Sequence, residues 1–339
     1  MRNLWPLILS LAACLPLACS SAFDFAVGPN GDATLFSDFP AGDARRDGLR
    51  GLLTTKIDTP VRPESPFKVD VTDSTQFRSR RLFRNLVILT DLSAERWGAR
   101  TIQRLLGEEQ SAQLASRSAA YRFLSDVWAD GQTVLLVHAR DGAALADLLA
   151  EHGATILDQF DDRIIGGLTK TLFETYGEQE LLSRGIGRRH GYQLRIPEDF
   201  FVEEQPENRY VRIKKAMPNG AMLYLSIYYQ DQIADTLSGG FCVALRDTLA
   251  AVYSGGDRVE LSRTTQRPTT FAGREAIEIY GLYQNLSPPM GGPFKLFGFH
   301  DGGRLYVIDL SVFNPPGNKL PQLRILEAVA RTFTPVTPG

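Results

Sequence analysis

The sequence predicts an α+β fold: two α+β units with mainly antiparallel sheets and packed helices. Three observations predict it. Candidate strands cluster in hairpin-like groups instead of alternating one-for-one with helices. The texture changes from helix-rich to strand-rich near Gly187–Tyr192. The chain has 339 residues, of which 43% are hydrophobic and 22% charged; at one domain per ~100–200 residues that suffices for two cores. The expected organisation is an export signal at 1–19, a tether at 20–33, an N-terminal α+β domain at 34–187 and a C-terminal α+β domain at 191–335.

In order along the chain, Gly28-Pro29-Asn30-Gly31-Asp32 supplies turn chemistry before a short strand at Thr34–Phe36. A polar helix is expected at Ala41–Leu53. Three prolines within 59–68 exclude a helix interior or central strand there. Arg84–Leu92 and Thr133–His138 read as buried strands because they are runs of Val, Ile and Leu. Thr101–Phe123 has helical amphipathicity, and helix starts again at Ala143–Leu149. Ile164–Gly185 carries Leu168, Leu172, Tyr176 and Leu182 at mostly three- and four-residue steps, and Gly185-Ile186-Gly187 reads as its stop. Asp158, Asp161 and Asp162 form an acidic patch read as a solvated helix start.

Beyond that point Tyr192–Ile196 alternates as a strand, and Tyr210–Lys215 pairs with Ala221–Tyr229 across Pro218-Asn219-Gly220. A helix is expected at Gly239–Tyr253. Strands follow at Val259–Arg263, Arg274–Gln284, Phe294–His300 and Arg304–Phe313, and a final helix spans Leu320–Phe333.

The first nineteen residues have the anatomy of a lipoprotein export signal. Arg2 is followed by an uncharged stretch, Leu4 to Ala18, too short for a membrane span and ending in small residues before cysteine. Cys19 is the favoured lipidation site because it gives a normal signal length and a polar start at Ser20-Ser21. Cys14 is the alternative, since Leu11-Ala12-Ala13 fits the usual approach to the lipidated cysteine better. A cleaved secretory signal or an uncleaved anchor is the plain competitor. Lipidation there predicts a palmitate-bearing protein in the cell envelope, on the periplasmic side of the inner or outer membrane.

With 37 basic and 39 acidic residues the chain shows no electrostatic footprint for nucleic acid. Cys242 alone would remain in the folded body, so no intramolecular disulfide is expected, and its apolar helix makes it a buried structural thiol. No metal or cofactor motif is present: His138, His152, His190 and His300 have no second ligand at metal spacing, and there is no HExxH, CxxC or Gly-x-Ser-x-Gly. His138, ending an apolar strand, reads as a satisfied core or rim histidine. Gly185 to Gly191 lies after a helix and before a strand, the reverse of a dinucleotide loop.

One stretch resists so plain a reading. Leu286-Ser287-Pro288-Pro289-Met290-Gly291-Gly292-Pro293-Phe294 has the composition of a constrained loop presenting Met290 and Phe294, with Gly291 and Gly292 allowing close approach. Arg246, Asp247, Met290, Gly291, Gly292 and Phe294 are therefore the candidate binding surface. No residue is assigned a catalytic role.

These same segments carry a resemblance. Ile196-Pro197, Arg246-Asp247, Gly281-Leu282-Tyr283, Met290 to Phe294, and Asn314-Pro315-Pro316 with Lys319 resemble the bacterial lipoproteins grouped as domain of unknown function 4837. Upstream, Arg84-Asn85-Leu86-Val87-Ile88 and Asp126 to Gln132, with its Trp128-Ala129-x-x-Gln132 element, extend it over most of the chain. The chain departs at Gly281-Leu282-Tyr283, where a tryptophan is more usual, and at Pro288-Pro289. The resemblance implies an exported lipoprotein of two α+β parts and no particular activity.

Two functions fit this reading. One is a non-enzymatic binding or assembly factor of the cell envelope, with a membrane anchor and an envelope protein partner. The other is an extracytoplasmic hydrolase acting on cell-wall or lipid material, for which Asp247, His300 and Asp301 are the nameable residues. An apolar or aromatic groove without pKa-shifted acids favours the first, and a cleft with paired, desolvated carboxylates the second.

Overall fold

The computed structural model describes residues 24–56, 62–231, 237–286, 289–315 and 317–336. The expected export signal with Cys14 and Cys19, Ser287-Pro288 of the candidate loop, and Pro316 lie outside these residues. The first part runs β1 (Asp32–Ser37), α1 (Ala44–Thr54), β2 (Lys68–Thr72), α2 (Phe77–Arg80), β3 (Asn85–Thr90), α3 (Trp97–Ala115), β4 (Ala119–Ser125), β5 (Thr133–Ala139), α4 (Gly142–Lys170) and α5 (Glu180–His190). The second runs β6 (Tyr192–Gln193), β7 (Phe201–Gln205), β8 (Tyr210–Ala216), β9 (Met222–Asp231), α6 (Gly239–Tyr253), β10 (Arg258–Val259), β11 (Thr265–Phe271), β12 (Arg274–Leu286), β13 (Pro289–Asp301), β14 (Arg304–Phe313), α7 (Leu320–Ala330) and β15 (Thr334–Pro335).

The fold is α+β with mainly antiparallel sheets, as the sequence predicts. Its large sheet is eight-stranded, in the order β10-β12-β13-β14-β9-β8-β7, with β11 also on β12. Every ladder in it is antiparallel. The N-terminal sheet differs. Its order is β2-β1-β3-β5-β4, and β1 pairs in parallel with β2 and β3, as does β3 with β5, leaving β4–β5 antiparallel. The reason is visible in the strands: β3 and β5 are buried at every position. Parallel strands need cover on both faces and so read as unbroken apolar runs. Here α3 covers one face through Ala99, Ile102 and Leu114. On the other, α1 and α4 place Leu49, Leu53, Phe160 and Ile164.

Several local expectations shift. The helix expected over Thr101–Phe123 ends at Ala115, and its tail is β4. α4 runs 29 residues, so the acidic patch lies mid-helix and not at a helix start. Its aspartates meet arginines of α7 instead: Asp161 pairs with Arg324 at 2.5 Å and Asp162 with Arg331 at 2.7 Å. The stop expected at Gly185–Gly187 is inside α5, which Gly191 ends at φ 74°. Gly187 is small for packing, since a Cβ there would come 2.7 Å from the Gln193 side chain. β11 carries Pro268 but is paired on one side by β12, and an edge strand tolerates a missing donor. The segment expected as a tether is held from Asp24 onward: Phe25 bridges Asp130, Val27 bridges Phe83, and buried Arg84 donates to the carbonyls of Ala26 and Gly28.

The two sheets share one apolar core. It runs from Leu35 and Val87 through Phe160 and Ile164 of α4 and Leu323, Leu326 and Ala330 of α7 to Ile213, Leu225 and Ile308 of the large sheet. At the expected joint, His190 and Tyr192 are buried, and Glu64 in the Pro-rich segment is buried while accepting the Lys319 N–H at 2.8 Å.

Candidate functional site

The large sheet has two different faces. Period-2 alternation places Leu223, Leu225, Ile227 and Tyr229 of β9 against the shared core, and Tyr224, Ser226 and Tyr228 on the other side. Helix α6 lies over that other side. Ser238 caps its start by accepting the Phe241 N–H at 3.2 Å. Cys242, Arg246 and Ala250 recur every four residues, so they form one buried stripe facing the strands. Cys242 packs on Gly298, where any Cβ would come 2.7 Å from its Sγ. Burial pushes its thiol pKa up to about 11, which agrees with a structural cysteine.

Toward the C-terminal end of α6 the helix and sheet part to leave a cleft of about 240 Å³. Its walls include five tyrosines, Tyr210, Tyr224, Tyr228, Tyr253 and Tyr283, and four charged residues, Arg212, Arg246, Asp257 and Asp309. Tyr210 and Tyr253 stack with ring centres 4.1 Å apart, and the Tyr210 hydroxyl donates to Ser226 Oγ at 2.9 Å. Arg212 donates to the Tyr253 carbonyl at 2.5 Å and to Ser254 Oγ, tying β8 to the end of α6.

Arg246 is 4% exposed. Its Nε donates to Asp309 Oδ1 at 3.1 Å, and the guanidinium carbon lies 4.2 Å from the centre of the Phe294 ring and 5.2 Å from that of Tyr283. Its Nη1 is buried without a hydrogen-bond partner among the described residues. The same holds for Oδ1 of buried Asp257. Burial holds the Asp257 carboxyl above its ordinary value, with Arg246 opposing. Buried polar atoms left unpaired cost about 1–3 kcal/mol each, and two of them belong to residues that line this one cleft.

The sequence-predicted residues divide around this cleft. Arg246 and Met290 line it. Met290 to Phe294 form part of β13 and not a loop, paired with β12 from Asn285↔Met290 to Gly281↔Phe294. Gly291 and Gly292 serve close strand approach: a Cβ on Gly291 would lie 2.5 Å from the Tyr283 carbonyl oxygen, and one on Gly292 would fall on that of Val312. Phe294 is fully buried, so it supports Arg246 from below and offers no contact surface. Asp247 turns away from the cleft and accepts the Val259 N–H at 2.9 Å. The residues named for hydrolysis are dispersed, Asp301 pairing with Arg274 at the β13–β14 turn while Asp247 holds β10. Sequence reasoning missed Arg212, Asp257, Asp309 and the tyrosines. The available signal was the alternation itself: Tyr224-x-Ser226-x-Tyr228 puts aromatic and hydroxyl groups on one face of an otherwise apolar strand.

His138 lies outside the cleft, fully buried, its Nδ1 accepting the Leu92 N–H at 3.1 Å. That assigns the proton to Nε2, which faces the Arg117 carbonyl at 3.2 Å. It is a satisfied core histidine, as read from the sequence.

Fold and site thus define an α+β protein with an aromatic-walled cleft on its large sheet. Residues 179–332 match the family model described as Domain of unknown function (DUF4837), and that segment belongs to this family. The elements quoted upstream of residue 179 lie outside the match. There they have structural roles: Gln132 accepts the Trp128 N–H at 3.0 Å and donates to the carbonyls of Arg81 and Phe83 at 2.7 Å each.

No match is found among curated proteins. Among solved structures, CyanoP, the PsbP protein of Synechocystis, is 14% identical with a TM-score of 0.31, over 43% of this chain and 88% of its own. A Bacteroides thetaiotaomicron protein is 11% identical with a TM-score of 0.28, over 45% of this chain and 47% of its own. LpqN, involved in cell envelope biogenesis of Mycobacterium tuberculosis, is 14% identical with a TM-score of 0.27, over 43% of this chain and 83% of its own. At such scores these are partial likenesses on which no argument is built. No helix among the described residues is long and apolar enough to cross a membrane.

Proposed function

We propose that this chain is a non-enzymatic binding or assembly factor of the cell envelope, anchored by lipid on Cys19 and receiving its ligand in the cleft beside α6. The anchor rests on the sequence of the first nineteen residues. The binding role rests on one observation, that Arg246, a lining residue of an aromatic cleft, keeps a buried Nη1 without a hydrogen-bond partner among the described residues. Asp309 is engaged by Arg246, so the cleft does not hold two free carboxylates for acid–base work.

The test is recovery of the tagged full-length chain from detergent-solubilised envelopes, followed by mass analysis of what accompanies it. A component that co-purifies chemically intact with wild type and is lost with Arg246→Lys supports the reading. A component recovered in cleaved form would make the chain a hydrolase, and equal recovery by the folded variant would move the site elsewhere.

A further inference from the structure

The free hydrogen-bonding capacity of the cleft is specific about its occupant. Its charged side chains balance, two arginines against two aspartates. Arg212 donates to Tyr253, Ser254 and Ser226, and Arg246 donates from Nε to Asp309. Among the described residues, the fully buried side-chain atoms of this wall left without a partner are a donor, Arg246 Nη1, and an acceptor, Asp257 Oδ1. A carboxylate or phosphate could take the donor but would bring negative charge beside Asp257 and Asp309. An ammonium could take the acceptor but would face two guanidiniums. An uncharged hydroxyl both accepts and donates, and neighbouring hydroxyls on a ring serve both atoms without adding charge.

The remaining wall agrees. Tyrosine rings offer flat apolar faces with polar tips, suited to a ring that is apolar on its face and polar at its rim. Ser226 and Ser311 add hydroxyls along the floor. At about 240 Å³ the space is smaller than the roughly 300–1,000 Å³ of pockets for drug-sized ligands, so it takes one ring and leaves any further units outside.

We infer that the cleft recognises a single uncharged sugar ring, free or at the end of a glycan, with Arg246 donating to one ring substituent, Asp257 accepting from its neighbour and Tyr224 or Tyr228 covering a face. This rests on the binding reading of the same cleft.

The test is saturation-transfer NMR on the full chain with glucose, N-acetylglucosamine and their β-linked disaccharides, with benzoate, inorganic phosphate and choline as charged probes. Saturable binding of a sugar is expected, weakened by about tenfold or more in Arg246→Lys and in the Tyr224→Ala/Tyr228→Ala double variant, each first shown to be folded by circular dichroism. A disaccharide no tighter than its monosaccharide would assign free sugar, and a tighter one a glycan end. If benzoate, phosphate or choline binds and the sugars do not, the cleft stands as a binding site and the sugar assignment falls. Sugar binding unchanged in folded Arg246→Lys, or in a folded Tyr224→Ala/Tyr228→Ala double variant, overturns the assignment to this cleft. If no probe binds, the sugar inference falls, and envelope recovery with Arg246→Lys decides the binding reading separately.

Discussion

Two adjacent glycines in α4 should respond to the same substitution with opposite signs. Gly166 is exposed, and an added Cβ meets nothing within 4 Å. Replacing a mid-helix glycine by alanine removes chain entropy from the unfolded state, so Gly166→Ala should stabilise by about 0.5–1 kcal/mol. Gly167 gains the same term but faces the 126–132 loop, where a Cβ would lie 2.5 Å from the Gly131 carbonyl oxygen and 3.0 Å from its carbon. That backbone has little room to yield: Asp126 accepts the Gly131 N–H at 2.7 Å, and Gly131 itself is at φ 75°. Overpacking costs about 1–3 kcal/mol, toward the upper end when the obstacle is backbone, so Gly167→Ala should lose about 1–2 kcal/mol net. At roughly 2–4 °C per kcal/mol, calorimetry should show Gly166→Ala melting about 1–4 °C higher and Gly167→Ala about 2–8 °C lower. Shifts of the same sign would refute the close approach of α4 to this loop.

Other perturbations test separate parts of the structure. In the native protein Cys242 should resist alkylation at pH 8 and react once the chain is unfolded, as read by peptide mapping; rapid native labelling would contradict the α6–Gly298 packing. Burial lowers the proton affinity of His138 and of His190 in the folded state. The unfolded chain therefore binds more protons, and stability is full above the unfolded histidine value of about 6.5 and falls as pH drops below it. The urea midpoint should be lower at pH 5.5 than at 7.5, with a smaller difference in His138→Gln; an equal or higher midpoint at pH 5.5 would reverse the sign argued here. The sequence reading of the anchor predicts acylated Cys19 by intact mass, lost in Cys19→Ala and kept in Cys14→Ala. Release of soluble wild-type protein cut after a non-cysteine residue would exclude it.

What the sequence conveyed followed local chemistry. Pro218-Asn219-Gly220 marked the turn between β8 and β9, and α6 was readable over its full extent, Gly239–Tyr253. Parallel pairing was not readable as such. The unbroken apolar runs of β3 and β5 were seen as buried strands, but the parallel partners of β3, β1 and β5, are both remote from it in sequence. Met290 to Phe294 misled because proline and glycine suggest loops; here two glycines occupy a strand so that neighbouring backbones can approach. Half of the cleft escaped notice for a similar reason. Arg246 stands out as a charge within an apolar helix, whereas Asp257 and Asp309 are ordinary surface-type residues until long-range pairing carries them under it.

The core shared by the two sheets has a further consequence for recognition. The large sheet is fastened along its α7 face to the rest of the molecule, and Arg212 pins the far end of α6 to β8 on the opposite face. Among the described residues the cleft is therefore braced on both of its walls, by the core behind the sheet and by Arg212 at the end of α6. Its shape is set at folding, so the conformational cost of docking falls mainly on the incoming group, and empty and filled forms should superpose closely. Discrimination then depends on fit to a standing surface: a group one atom too large is turned away at the rim instead of being accommodated by movement behind it.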